Sequence, residues 1–212
     1  MIRLLLIDDH PVVRSGYRRL LDQSPGMTVV AEASDGLEGY HAFVEHQPDV
    51  VIMDLFLPGI GGLDVTRRIL KRDQSAKILV FSMHESGVLI ERSRQAGAKG
   101  YVTKRSGAKV ILRAIQAVAE GDEFFSQPLA PKKAIKAVFP TLDSADFSVL
   151  THREFEVMRH LAIGRSVAEI AQILHTSPKT IGVHQTRILK KLGVPNTVQL
   201  AHLALQHALI EL

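Results

Sequence analysis

Over the first 120 residues, short apolar runs rich in valine and isoleucine alternate with longer stretches whose apolar positions recur every three to four residues. A continuous apolar run suits a strand buried on both faces, and the longer spacing suits an amphipathic helix, so the rhythm is that of βαβ units around a parallel sheet. It predicts five strands, over residues 3–7, 28–33, 50–53, 78–81 and 100–102, with helices in the gaps. Pro11 suits the first position of a helix over 11–22. Val110, Ile111, Ala114, Ile115 and Val118 line one face of another over 107–120. Residues 1–120 should therefore form a doubly wound α/β domain.

The rhythm stops at Gly121. Pro128, Pro131 and Pro140 interrupt any long element, and Lys132, Lys133 and Lys136 punctuate the stretch, so residues 121–147 are expected to be a linker with a short helix over 131–138. From residue 148 to 212 every periodic segment is helical, which predicts a small all-α domain of four helices. Its helix starts are strongly marked: Thr151 with Glu154 and Ser166 with Glu169 fit capping boxes, and Ser177-Pro178 fits an N-cap followed by proline. Gly164 and Gly193 supply the stops, and the last helix is expected over 197–209.

Ligands of open α/β sheets gather beyond the carboxyl ends of the strands. The residues there are Asp8 and Asp9, Asp54, Ser82 and Lys104. Three carboxylates at one sheet edge repel each other, at about 4 kcal/mol per contact near 4 Å with an effective dielectric of ~20. A hard divalent cation such as Mg2+ (or Mn2+) suits an all-oxygen site of this kind and can also hold a phosphoryl oxygen. Lys104 offers a point charge and Ser82 a hydroxyl to the remaining phosphoryl oxygens. A single acid after a strand is ordinarily a turn or cap residue; five such groups at successive strand ends are not so easily explained.

The motifs Ile7-Asp8-Asp9, Asp54-Leu55-Phe56-Leu57-Pro58 with Gly62, Phe81-Ser82 and Gly100-Tyr101-Val102-Thr103-Lys104 resemble the receiver domain of response regulators, a flavodoxin-like fold. The resemblance implies that Asp54 accepts a phosphoryl group from a sensor histidine kinase. It makes Asp8 and Asp9 the acid pocket, with Asp9 the more direct metal ligand, and the backbone carbonyl of Phe56 a further one. It also implies that Ser82 and Tyr101 act as a switch pair, the hydroxyl moving to the phosphate and the ring following inward. Gly61 stands where the family often has an acid. Aspartyl-nucleophile phosphatases share the covalent chemistry, but they need a second acid two residues on, and that position is Phe56. No phosphate-cradling Gly-x-x-x-x-Gly-Lys loop or Gly-x-Ser-x-Gly elbow occurs, which excludes those hydrolase classes.

Net charge is +4, yet it hardly localises: residues 1–120 hold 16 basic and 14 acidic side chains, and residues 141–212 hold 7 and 6. The useful asymmetry lies in 179–191, which carries Lys179, Arg187, Lys190 and Lys191 with no acid. At about 100° per residue, Ile181, Ile188 and Leu192 fall on one side of a helix and Lys179, Val183, Thr186 and Lys190 on the other. The outer face mixes cations with short groups able to touch base edges, with Arg187 and Lys191 flanking it for phosphates. The helix before it is joined by the turn His175-Thr176-Ser177, which fits a helix-turn-helix.

Leu150-Thr151-x-Arg153-Glu154, Leu161-Ala162-x-Gly164, Glu169-Ile170-Ala171, Ser177-Pro178-Lys179-Thr180-Ile181-x-Val183-His184 and Lys190-Lys191-Leu192-Gly193-Val194 resemble the LuxR-type helix-turn-helix of the NarL and FixJ group. The resemblance implies backbone contacts by Lys179, Thr180, His184, Arg187 and Lys190, and base contacts by Val183 and Thr186. Gly182 departs from it, since a longer polar side chain is usual there, and unusual discrimination at one base pair is expected. The resemblance makes the last helix a dimer contact on DNA.

Cysteine is absent, which excludes disulfides, thiolate chemistry and Cys-type zinc sites. The histidines show no metal spacing. The apolar start at Leu4-Leu5-Leu6-Ile7 runs straight into Asp8-Asp9 and no apolar run reaches membrane-span length, so a cytoplasmic protein without a membrane partner is expected. The whole reads as a phosphorylation-controlled transcription regulator that binds double-stranded DNA, forms a homodimer when phosphorylated or DNA-bound, and turns over no external substrate. A rival reading keeps the architecture and uses the first domain only as a phosphate-independent docking surface.

Overall fold

The computed structural model describes residues 1–125 and 146–210, which belong to two compact units. In the first, β1 (Ile2–Ile7), α1 (Pro11–Asp22), β2 (Met27–Ala33), α2 (Gly36–His46), β3 (Val50–Met53), α3 (Gly62–Arg72), β4 (Ile78–Ser82), α4 (Gly87–Gln95), β5 (Gly100–Thr103), α5 (Ala108–Glu120) and β6 (Phe124–Phe125) follow one another. The strands pair in parallel in the order β2-β1-β3-β4-β5-β6.

Strand pleat decides which helix covers which face. Leu4, Leu6, Val50, Ile52, Leu79 and Phe81 point to the side packed by Leu21 of α1 and by Ile111, Ala114, Ile115 and Val118 of α5. Leu5, Ile7, Val51, Met53 and Ile78 point to the other, against Ala42 and Phe43 of α2 and Val65 and Ile69 of α3. Burying an aliphatic side chain of this size contributes ~1.5–3 kcal/mol, so slipping a strand by one residue would exchange both faces at once and is strongly disfavoured.

The sheet has one strand more than the five expected. Phe124 and Phe125 pair with Gly100 and Tyr101, and Arg94 lies 4.2 Å from the Phe125 ring centroid. The pair is too short to show alternation, and it falls inside the stretch read as linker. The short helix expected over 131–138 lies outside the described residues.

The second unit is helical throughout its described part. A single 3-10 turn (Phe147–Val149) precedes α6 (His152–Ala162), α7 (Val167–Ile173), α8 (Pro178–Leu192) and α9 (Thr197–Gln206). Both capping boxes form, at Thr151/Glu154 and Ser166/Glu169, and the Ser177 side chain accepts from the Thr180 amide ahead of Pro178. The last helix ends three residues short of the expected 209, with Ala208 in the left-handed region at φ 51°. Inside, Phe155, Val157, Met158 and Leu161 of α6, Ile170 of α7, Ile181 and Ile188 of α8, and Leu200 and Leu203 of α9 are buried.

Candidate functional site

Strand order reverses around β1, which has β2 on one side and β3 on the other. The crevice at such a reversal is where open α/β sheets bind ligands. Asp8 and Asp9 leave the end of β1 there and Asp54 the end of β3, held level by the hydrogen bond from the Asp54 amide to the Ile7 carbonyl at 2.9 Å. Gly62 is required close by: a Cβ on it would lie 2.0 Å from the Asp54 carbonyl oxygen, so only glycine lets α3 start beside the site.

One ligand atom each from Asp8, Asp9, His10 and Asp54 lies within 4.8 Å of the others. Lys104 sits among them, with Nζ 2.6 Å from Asp8 Oδ2 and 2.7 Å from Asp54 Oδ2 and its side chain 3% exposed. The backbone places it, because the Lys104 amide donates to the Ser82 carbonyl at 2.8 Å where β4 and β5 end together. Burial raises the Asp54 carboxyl above the ordinary carboxylate range; the Lys104 ammonium opposes this and Asp8 adds to it. For Lys104 itself burial works downward, but the facing carboxylates of Asp54 and Asp8 outweigh it and hold the ammonium above its usual value. Both directions have one origin: a single fixed cation is divided between acids that have lost their water.

The donor set fits a hard divalent cation. Asp8 Oδ2 and Asp9 Oδ1 are buried oxygens, and each has one nitrogen at 2.6 Å, Lys104 Nζ in the first case and His10 Nδ1 in the second. Each carboxylate oxygen carries more than one lone pair, so one close nitrogen apiece leaves acceptor capacity for a hard cation. The Phe56 amide donates to Asp54 Oδ1 at 3.3 Å. Ser82 is fully buried at the neighbouring strand end, and Tyr101 of β5 is fully buried as well.

Three further residues support the site without having been singled out from sequence. The His10 amide donates to Asp8 Oδ1 at 2.9 Å, Arg14 Nη1 donates to the Asp8 carbonyl at 2.6 Å, and the Tyr17 hydroxyl donates to the Lys104 carbonyl at 3.1 Å. The last two lie a helical turn apart at the start of α1, the element that follows the acids, and that position was the available signal.

In the second unit, α8 exposes Lys179, Thr180, Val183, Thr186, Arg187 and Lys190, while His184 is half-buried. Lys179, Arg187 and Lys190 form no ion pair among the described residues. Lys191 differs: its Nζ lies 2.6 Å from Glu154 Oε2 and 3.1 Å from the Val149 carbonyl. Burial lowers the His184 imidazole below its usual value, so it is uncharged at neutral pH. Gly182 faces open space.

Residues 4–116 match the response regulator receiver domain, and residues 148–204 match the bacterial regulatory proteins of the luxR family. The chain belongs to the response regulators of the NarL and FixJ group. It is 36% identical over 209 residues to response regulator UvrY of Escherichia coli K12, covering 99% of this chain and 96% of that one. With response regulator GacA of Pseudomonas aeruginosa the identity is 36% over 211 residues, covering 100% and 99%. RcsB of Salmonella enterica serovar Typhimurium, solved bound to the promoter rprA in the presence of the phosphomimetic BeF3−, superposes with a TM-score of 0.67 at 26% identity, covering 96% and 98%. This response regulator thus joins a receiver domain to a LuxR-type DNA-binding domain and is a transcription regulator of a two-component system. Among its described residues no helix is long and apolar enough to cross a membrane.

Proposed function

We propose that Asp54 is the phosphoryl acceptor of this response regulator and that Asp8, Asp9, Asp54 and the Phe56 carbonyl hold Mg2+ beside it. The observation that carries the reading is the clustering of Asp8, Asp9 and Asp54 at the strand-order reversal, with the buried Lys104 ammonium shared between Asp8 and Asp54. A carboxylate oxygen of Asp54 attacks phosphorus, an acyl phosphate forms, and the bond from phosphorus to the donor nitrogen of a sensor histidine kinase breaks with its electron pair. Bound Mg2+ supplies charge neutralisation at the transferring oxygens. Lys104 gives up its bond to Asp54 and turns to a phosphoryl oxygen, and the Ser82 hydroxyl donates to another. Tyr101 responds to the movement of Ser82 by repacking, a local charge change that biases a two-state arrangement.

The helical domain then reads DNA through the exposed face of α8. Lys179, Thr180, His184, Arg187 and Lys190 meet the phosphate backbone, Val183 and Thr186 meet bases, and two copies bind as a dimer. The group resemblance supports this, as do the RcsB structures, in which that protein is bound to promoter DNA and, in another case, two of its dimers are bound to two parallel DNAs. We assign residues 1–120 to the receiver, 121–147 to the connection, although Phe124 and Phe125 belong to its sheet, and 148–212 to the DNA-binding domain. Action in the cytoplasm without turnover of an external substrate completes the reading.

Incubation with Mg2+ and a small phosphodonor, followed by intact-mass measurement, is expected to add about 80 Da to the wild-type chain and nothing to Asp54→Ala. An adduct retained in Asp54→Ala, or none on the wild type, would favour the phosphate-independent docking surface instead.

A further inference from the structure

The basic run of α8 is not homogeneous. Lys190 is exposed and unpaired among the described residues, whereas its neighbour Lys191, about 100° round the helix and itself 36% exposed, lies against the start of α6. There its ammonium lies 2.6 Å from Glu154 Oε2, on a side chain only 4% exposed, and 3.1 Å from the carbonyl of Val149. The same Glu154 oxygen accepts the Thr151 amide at 2.8 Å, closing the capping box of α6. One carboxylate and one ammonium therefore tie together the 3-10 turn, the first turn of α6 and the last turn of α8.

We propose that Lys191 serves DNA recognition as a positioning residue, fixing the last turn of α8 against the start of α6 through Glu154, and that it does not contact phosphate. This rests on the reading of α8 as the helix that meets DNA. A carboxylate without water needs its cation, and drawing the ammonium out to a phosphate would leave Glu154 buried beside an empty position. Held as it is, the pair sets the angle at which Lys179, Val183, Thr186 and Lys190 leave the domain, and groove contacts depend steeply on that angle. The basic count of the helix thus overstates the number of phosphates it neutralises.

The test measures affinity of the full chain for a mixed-sequence B-form duplex across a range of salt, with thermal unfolding of each variant. Glu154→Gln keeps an acceptor for the Thr151 amide and therefore the α6 cap. Glu154→Gln and Lys191→Met are each expected to weaken binding roughly two- to fivefold. The slope of log affinity on log salt should stay at the wild-type value, Lys191→Arg should restore binding, and the double variant should be no weaker than the worse single one. Lys190→Met is the reference for a true phosphate contact and should flatten the slope by about 0.9. A Lys191→Met slope flattened by the same amount, or tighter binding in Glu154→Gln where the ammonium is released, would overturn the assignment. So would a lower unfolding temperature with affinity unmoved. Loss of the DNA reading itself looks different: wild type and Lys190→Met would then bind the duplex equally, with no salt dependence.

Discussion

Asp54 is held in an environment that opposes its own charge. Buried at 4% exposure beside Asp8 and sharing Lys104 with it, the carboxylate is destabilised in its charged form. Asp54→Asn removes one negative charge while leaving Lys104 its bond to Asp8, so without Mg2+ the receiver should gain on the order of 1–2 kcal/mol, read by urea unfolding. Added Mg2+ should stabilise the wild type by binding the folded state and do so much less in the variant. Loss of stability in Asp54→Asn without Mg2+ would show that the acids are not in mutual conflict. His160 gives a second residue-level prediction. Burial first, and then Arg165, Arg159 and Arg153, lower its imidazole to about 4, and Arg165 Nη1 lies 2.6 Å from Nδ1. The folded value is below the ordinary 6.5, so between these two the unfolded chain takes a proton that the folded one refuses. Stability should accordingly fall as pH drops from 6.5 toward 4 and stay level above. Urea midpoints of His160→Gln should lack this acid limb; an unchanged limb would assign the loss to other groups.

Among the elements, α8, the proposed DNA-reading helix, is built with little help from helix propensity. Its start is fixed by Ser177 and Pro178 and its end by Gly193, in the left-handed region at φ 66°. The turn leading into it needs a left-handed residue too, and the chain supplies His175 at φ 48°, while the Thr176 amide bonds back to the Ala171 carbonyl at 2.9 Å. Histidine is one of the side chains tolerated there, and no glycine announces the position in the sequence. Within α8, Gly182 meets nothing within 4 Å, so a methyl group costs no space. Gly182→Ala is expected to stabilise the domain by about 0.5–1 kcal/mol, measured by thermal unfolding. Gly182→Lys should in addition change the ranking of a panel of operator duplexes in band-shift assays, because it places a long donor beside Val183 and Thr186. An unchanged ranking would show that position 182 does not face bases.

For the whole molecule, the proposed chemistry lies in one unit and the proposed DNA contacts in the other, so regulation must pass through populations of states. A phosphodonor with Mg2+ should raise duplex affinity and shift the chain toward a dimer in light scattering, and Asp54→Asn should respond to neither. A variant that dimerises equally well with the donor would place the trigger elsewhere. The coupling need not be large: a tenfold change in affinity is about 1.4 kcal/mol, within reach of one rearranged ion pair and one repacked aromatic ring.

Much of this was legible in the chain itself. Strand and helix positions followed from apolar period, and helix starts from Thr151, Ser166 and Ser177, because a cap is a local interaction between residues three apart. The acids were legible as well, since a parallel sheet brings every strand end to one edge. Phe124-Phe125 was not, because a two-residue strand owes its pairing to a neighbour far away in sequence. Nor was the difference between Lys190 and Lys191, identical as residues and adjacent in the chain. Local propensity and period determined which elements form and what chemistry they carry; tertiary packing alone decided that one of those lysines reaches the buried carboxylate of Glu154, since burial is a property of what surrounds a residue and not of the residue.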